Sequence, residues 1–212
     1  MKLSVVVPVH NETENLKNLI EEIGQAVGPL GAYEIIYIDD GSTDGTLATL
    51  RDLQSNFPAL RVLRHLKCCG QSTAVRTGVK AAKAEVIATL DGDGQNDPAN
   101  IPAMYAAWEK LAAEGRGALV AGFRKNRKDT GWRRFSSRFA NRIRAGLLGD
   151  ATPDTGCGLK LFDRSLFLDM PYFDHMHRFL PALAQRAGAN VVSVEVNHRP
   201  RTQGVRLQPA AV

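Results

Sequence analysis

Two periods of apolar residues alternate along this chain. Short apolar or β-branched runs end in clusters of Asp, Asn, Gly and Ser. Each run is followed by a stretch in which apolar residues recur at three- and four-residue steps. "LSVVVPVHNE" is the first run, and Pro8 with His10-Asn11 ends it, which predicts a strand entering a loop. "ETENLKNLIEEIGQAV" then places Leu16, Leu19, Ile20, Ile23 and Val27 at helical spacing. "YEIIYIDDGSTDG" predicts a second strand, with Thr43 or Asp44 positioned to cap the helix "GTLATLRDLQSNF". "LRVLRH" predicts a third strand, "GQSTAVRTGVKAAK" a helix, and "EVIATL" a fourth strand. Pro98 opens the helix "PANIPAMYAAWEKLAAEG", where a proline in the first turn is tolerated, and "GALVAGF" is a fifth strand.

Strands alternating with helices in this way predict an α/β fold: a Rossmann-like, mostly parallel sheet with helices on both faces. Ligands of such sheets bind outside the carboxyl ends of the strands. Three predicted strand ends carry polar clusters: Pro8 to Glu12, Asp39 to Asp44, and Asp91 to Gln95. A parallel sheet brings all three to one edge, which predicts a site there.

After Phe123 the pattern changes. Trp132, Phe135, Phe139, Ile143 and Leu147 make an amphipathic helix whose polar face is rich in arginine. "ATPDTGCGLKLFDRSLF" reads as a Gly-rich turn entering a strand or short helix, "FDHMHRFLPALAQRAG" as a helix, and "NVVSVEVNHRPR" as a closing strand. The tail 205–212 has no period and is expected to fray. No repeat, low-complexity segment or linker interrupts the chain, so residues 1–212 read as one domain.

Charge sharpens the picture. The net charge is +5, yet nine Lys or Arg stand against one acid, Asp129, between Phe123 and Gly146. That segment predicts a local surface for an anion, such as a lipid headgroup. No recognised nucleic-acid motif accompanies it, so nucleic acid is not an expected partner. No apolar run approaches the ~18 residues of a membrane span, and no leader pattern follows Met1-Lys2. Three cysteines make no disulfide framework and predict reduced thiols in the cytoplasm. Cys157 is expected to be a packing residue. His175 and His177, two apart on a helix, would face different ways, which predicts surface or loop histidines.

Asp91, Asp93 and Gln95 are oxygen donors one residue apart, with Gly92 and Gly94 freeing the backbone between them. Mg²⁺ and Mn²⁺ select such ligands and complete their shells with water and phosphate. The motif therefore suits a metal held between protein and a diphosphate. A dinucleotide-dependent oxidoreductase is disfavoured, because no G-x-G-x-x-G follows the first strand.

In "VVVPVHNE", "IDDGSTDGT", "GQSTAVRTG", "DGDGQNDP", "DTGCGLKLF", "HRFLPAL" and "HRPRTQG" the chain resembles the family 2 glycosyltransferases of the GT-A fold. Within them it is similar to the dolichol-phosphate mannosyltransferase and polyprenyl-phosphate glycosyltransferase branch. The resemblance implies transfer of a sugar, of mannose or glucose type, from GDP-mannose or a UDP-sugar to a polyprenyl phosphate. Inversion by direct displacement, Mg²⁺ or Mn²⁺ as cofactor, and a peripheral position on the cytoplasmic face of a membrane are implied with it. It assigns Pro8, Asn11, Glu12, Asp40 and Asp91 to the nucleotide, and Asp91, Asp93 and Gln95 to metal and diphosphate. Asp93, Arg124, Arg133 and Arg201 become the residues around the reacting phosphates, and Arg178 is a further candidate. Residues 1–123 become the nucleotide-sugar part and 124–204 the acceptor side. Two departures stand out: Cys68-Cys69 replaces a polar residue before Gly70-Gln71, and "GVRLQPAAV" replaces a Ser-Lys pair after the late R-x-x-G. Two alternatives remain at this point. One is a hydroxyl acceptor with Asp154 as catalytic carboxylate; the other is a non-catalytic membrane-surface module keeping the fold.

Overall fold

The computed structural model describes residues 1–124 and 152–199. Arg133, Arg201, the amphipathic helix from Trp132 to Leu148 and the tail lie outside the described residues. Seven strands form one sheet: β1 (Leu3–Val9), β2 (Tyr33–Asp40), β3 (Leu60–His65), β4 (Val86–Thr89), β5 (Ala118–Phe123), β6 (Lys160–Asp163) and β7 (Asn190–Glu195). The helices are α1 (Leu16–Val27), α2 (Thr46–Gln54), α3 (Gln71–Ala81), α4 (Ile101–Ala112), α5 (Arg164–Asp169) and α6 (Leu180–Arg186). Spatial order is β3-β2-β1-β4-β6-β5-β7. Strand β1 pairs in parallel with both β2 and β4, so the chain reverses direction across the sheet between β1 and β4. That is a topological switch point, where open α/β sheets leave a crevice.

The strands are apolar on both sides because both faces are covered. Val5, Val7, Val9, Ile35 and Tyr37 join one core with α1, α2 and α4. Val6, Ile36 and Ile38 join a second core with α3, α5 and α6. All five helical-period residues of α1 are buried, as its spacing predicts. The α3 face lies so close to the sheet that a Cβ on Gly78 would stand 2.4 Å from Val6 Cγ1 and 2.7 Å from Ile38 Cδ1. Gly78→Ala is therefore expected to cost about 1–3 kcal/mol by overpacking, read as a lower urea midpoint with an unchanged slope.

Strand β6 is the element that alternation alone does not position. It inserts between β4 and β5 and is antiparallel to both. Leu161 enters one core and Phe162 the other, so this short run hides its side chains only in a central slot. The segment read as either strand or short helix is both, β6 running into α5. The helix expected over "FDHMHRFLPALAQRAG" is shorter, since α6 begins only at Leu180. His175 adopts a left-handed φ of 63°, which breaks the run, and Met176–Arg178 forms a single tight turn before α6. Among the described residues no helix is long and apolar enough to cross a membrane.

Candidate active site

The carboxyl ends of β1, β2 and β4 open on a cleft of about 310 Å³. Pro8, His10, Glu12, Asp40, Cys68, Gly70, Gln71, Asp91 and Asp93 line it. Five residues expected at the nucleotide and metal, Pro8, Glu12, Asp40, Asp91 and Asp93, thus meet in one place. Asn11 is committed elsewhere: its backbone N–H donates to Ser42 Oγ (3.0 Å) and its Oδ1 accepts from Thr43 N–H (2.9 Å). It joins the β1 and β2 loops and is not among the residues lining the cleft. Asp44 does act at the start of α2, accepting from Thr46 N–H at 2.9 Å.

The loop after β4 is held open by its own polar groups. Asn96 is buried and its Oδ1 accepts from Asp91 N–H at 2.9 Å. Asp93 Oδ1 accepts from Gln95 N–H at 3.1 Å, and Gln95 carbonyl accepts from Arg199 N–H at 2.9 Å. Gln95 is thus part of the loop's frame and does not line the cleft. Arg199 also binds Glu22 (2.6 Å) and Asp97 (2.7 Å), anchoring the last described segment beside this loop.

Asp91 is shaped into place. Gln71 Nε2 donates to its Oδ1 at 2.7 Å, and a Cβ on Gly158 would fall 2.2 Å from its Oδ2. Only a glycine at position 158 leaves room for this carboxylate. Burial, then the nearby Asp93 charge, pushes the Asp91 carboxyl up to about 6. A carboxylate whose ionisation is made costly by burial and by a neighbouring acid is one that a hard divalent cation would relieve. The donor set fits Mg²⁺ or Mn²⁺, which Asp91 and Asp93 would hold.

Two cations stand near Asp91, of which Lys160 was not legible as a site residue. Lys160 is buried at the start of β6, with its ammonium donating to Cys157 carbonyl. Burial depresses its pKa, against the pull of Cys157, Asp91 and Asp154. Its one sequence signal was a lysine inside the apolar "GLKLF". Arg124 was expected at the phosphates and lies within electrostatic reach of Asp91, but its guanidinium forks onto Asp154, Nε to Oδ2 at 2.5 Å and Nη2 to Oδ1 at 2.9 Å. Burial works against the Arg124 charge, and this pairing outweighs it. Cys157 is fully buried in the core, a packing residue as expected.

The histidines divide. His175 is exposed, whereas His177 is half-buried with Nδ1 2.7 Å from Ser72 Oγ. His177 also borders a small void shared with Asp91 and Lys160, a place that two-residue spacing did not suggest. Burial, reinforced by Lys160 and Arg178, brings its pKa down from 6.5 to about 4. The folded state thus prefers the neutral ring. Its contribution is complete above pH 6.5 and is lost as pH falls through about 4. Acidification across that window is expected to cost about 3 kcal/mol at this residue. Urea unfolding of His177→Gln should show a correspondingly shallower acid slope than the parent. Arg178, the other candidate in this turn, is exposed.

A cleft at the switch point of a doubly wound sheet, with paired carboxylates that suit a hard cation, lies where open α/β sheets bind their ligands. The family model described as glycosyl transferase family 2 matches residues 4–170, and the chain belongs to that family. The dodecaprenyl-phosphate galacturonate synthase of Rhizobium johnstonii is 35% identical over 97% of this chain and 61% of its own length. The undecaprenyl-phosphate 4-deoxy-4-formamido-L-arabinose transferase of an Enterobacter species is 35% identical over 96% and 61%. The chain thus spans about three fifths of the length of these relatives. The fold is shared with the glucosyl-3-phosphoglycerate synthase of Mycobacterium tuberculosis solved with Mg²⁺ and UDP (TM-score 0.71, 22% identity, 94% of this chain and 72% of that one). It is shared too with a mannosyltransferase of Pyrobaculum calidifontis solved with GDP-Man and Mn²⁺ (TM-score 0.66, 22% identity, 92% and 55%).

Proposed function

We propose that this chain is the catalytic domain of a transferase moving a sugar from a nucleoside diphosphate to a polyprenyl phosphate. The observation that carries the reading is the Asp91–Asp93 pair, set at the switch point over a cleft shared with Pro8, Glu12 and Asp40. The relatives named for dodecaprenyl and undecaprenyl phosphate support the acceptor. In this reading Pro8, Glu12 and Asp40 hold the nucleotide, while Asp91 and Asp93 hold Mg²⁺ or Mn²⁺, which supplies neutralisation of the departing diphosphate. Arg124, with Arg133 and Arg201 from outside the described residues, balances the charge of two phosphate groups in one cleft.

The acceptor phosphate is an anionic nucleophile near neutral pH and needs no strong base. Asp154 favours this reading over a hydroxyl acceptor. Its carboxylate is clamped by Arg124, and a carboxylate so paired is a weak proton acceptor. The sugar follows the relatives no further than its class, so galacturonate and aminopentose donors stand beside mannose and glucose. The domain works at the cytoplasmic face of a membrane, where its basic segment meets anionic headgroups.

The test is transfer of labelled sugar from a panel of UDP- and GDP-sugars to undecaprenyl phosphate or to undecaprenol. Label in the phospholipid alone is the expected result. Label in the free alcohol would show a hydroxyl acceptor, and label in neither would favour a non-catalytic module.

A further inference from the structure

The polar end of the cleft around Asp40 holds a second set of groups with its own chemistry. Asp40 is buried, and its carboxylate is the hub of the β3–α3 loop. Oδ1 accepts from Cys69 N–H (2.9 Å) and from the His65 ring at Nδ1 (2.7 Å). Oδ2 accepts from Gly70 N–H (2.8 Å) and from the Cys68 thiol (3.4 Å). One ligand atom each from Asp40, His65 and Cys69 lies within 4.8 Å of the others. Both cysteines are exposed, so an ion reaches them from solvent.

We infer that Asp40, His65, Cys68 and Cys69 form a second cation site, for a thiophilic divalent ion such as Zn²⁺. One carboxylate, one imidazole and two sulfurs are the donors that Zn²⁺ takes in a four-coordinate shell, and they are poor ligands for Mg²⁺. The imidazole is already oriented for the task. Its Nε2 stands 2.9 Å from Thr77 Oγ1 on α3, the outer contact that fixes the ring of a ligating histidine. Binding exchanges protons for the ion. Cys68 and Cys69 each release a thiol proton to solvent, and the ring proton moves from Nδ1 to Nε2, where it donates to Thr77. No group changes oxidation state.

Asp40 and Cys68 both line the cleft, so an ion here and a nucleotide there compete for the same carboxylate. This consequence rests on the nucleotide reading proposed above; the site itself does not.

Co²⁺ is the probe, titrated into the reduced full chain without nucleotide. One equivalent is expected to produce thiolate-to-cobalt absorption that Zn²⁺ abolishes and excess Mg²⁺ leaves in place. The band should persist in Cys157→Ser and in Asp93→Ala. It should weaken in Cys69→Ser and vanish when Cys68 and Cys69 are both replaced, and binding should weaken about 10–100-fold in Thr77→Val. Circular dichroism checks folding, and alkylation of the exposed thiols in folded parent protein repeats the test without a substitution. Absence of the band in the parent, or its survival when Cys68 and Cys69 are both blocked, overturns the site. Saturating UDP or GDP is expected to weaken Co²⁺ binding; undiminished Co²⁺ affinity with nucleotide bound overturns the competition alone.

Discussion

Asp93→Ala is expected to leave the fold intact and to remove Mn²⁺-dependent binding of UDP or GDP. Sugar transfer should fall by about 10²–10⁴-fold, the several kcal/mol that a metal supplies to a departing diphosphate. The expectation follows from what Asp93 does and does not hold. Among the described residues its side chain bonds to Gln95 N–H, within its own loop, and it is half-buried. Its removal also withdraws a charge that raises the cost of ionising Asp91. The empty variant should therefore unfold at the parent's temperature or slightly above it. Calorimetric titration with each nucleotide, with and without Mn²⁺, provides the measurement. Equal metal-dependent binding by parent and variant would sink the assignment of this pair, and a collapsed melting temperature would reassign Asp93 to the fold.

Asp154→Ala is the substitution expected to cost most stability, about 3–5 kcal/mol. Its side chain and that of Arg124 are 9% and 13% exposed, and they meet through two hydrogen bonds. Removing the carboxylate alone strands a guanidinium out of water, with Lys160 close enough to add repulsion. Replacing both partners, as Arg124→Met with Asp154→Leu, should recover much of the loss, because the penalty belongs to the unpaired charge. Chemical denaturation of the two single variants and the double variant measures this coupling. If Asp154→Ala is as stable as the parent, the pair contributes no more to the fold than a surface contact does. A variant that stays folded yet loses transfer only to hydroxyl acceptors would return Asp154 to the role of base.

The site's skeleton was legible because its signals are local. Apolar runs ending in polar clusters marked β1, β2 and β4, and parallel pairing then left their carboxyl ends no choice but to share an edge. Asp91 and Asp93 were legible for the same reason, since one short loop carries both. Asn11 illustrates where this stops. It sits in the right loop, and only the fold shows its backbone N–H spent on Ser42 and its side-chain oxygen on Thr43. The tight turn at His175 likewise overrode a helical period that the sequence carries plainly.

Local periodicity, turn residues and the order of the strands thus determined, without coordinates, the α/β class, the edge that bears the site and the acids at its centre. The tertiary structure alone decided that β6 enters antiparallel beside β4, bringing Lys160 and Gly158 against Asp91. It alone set His65 and the two cysteines around Asp40. Those partners lie far apart along the chain, and their meeting is set by which strand shields which core. No pattern with a period of two or 3.6 residues records that choice.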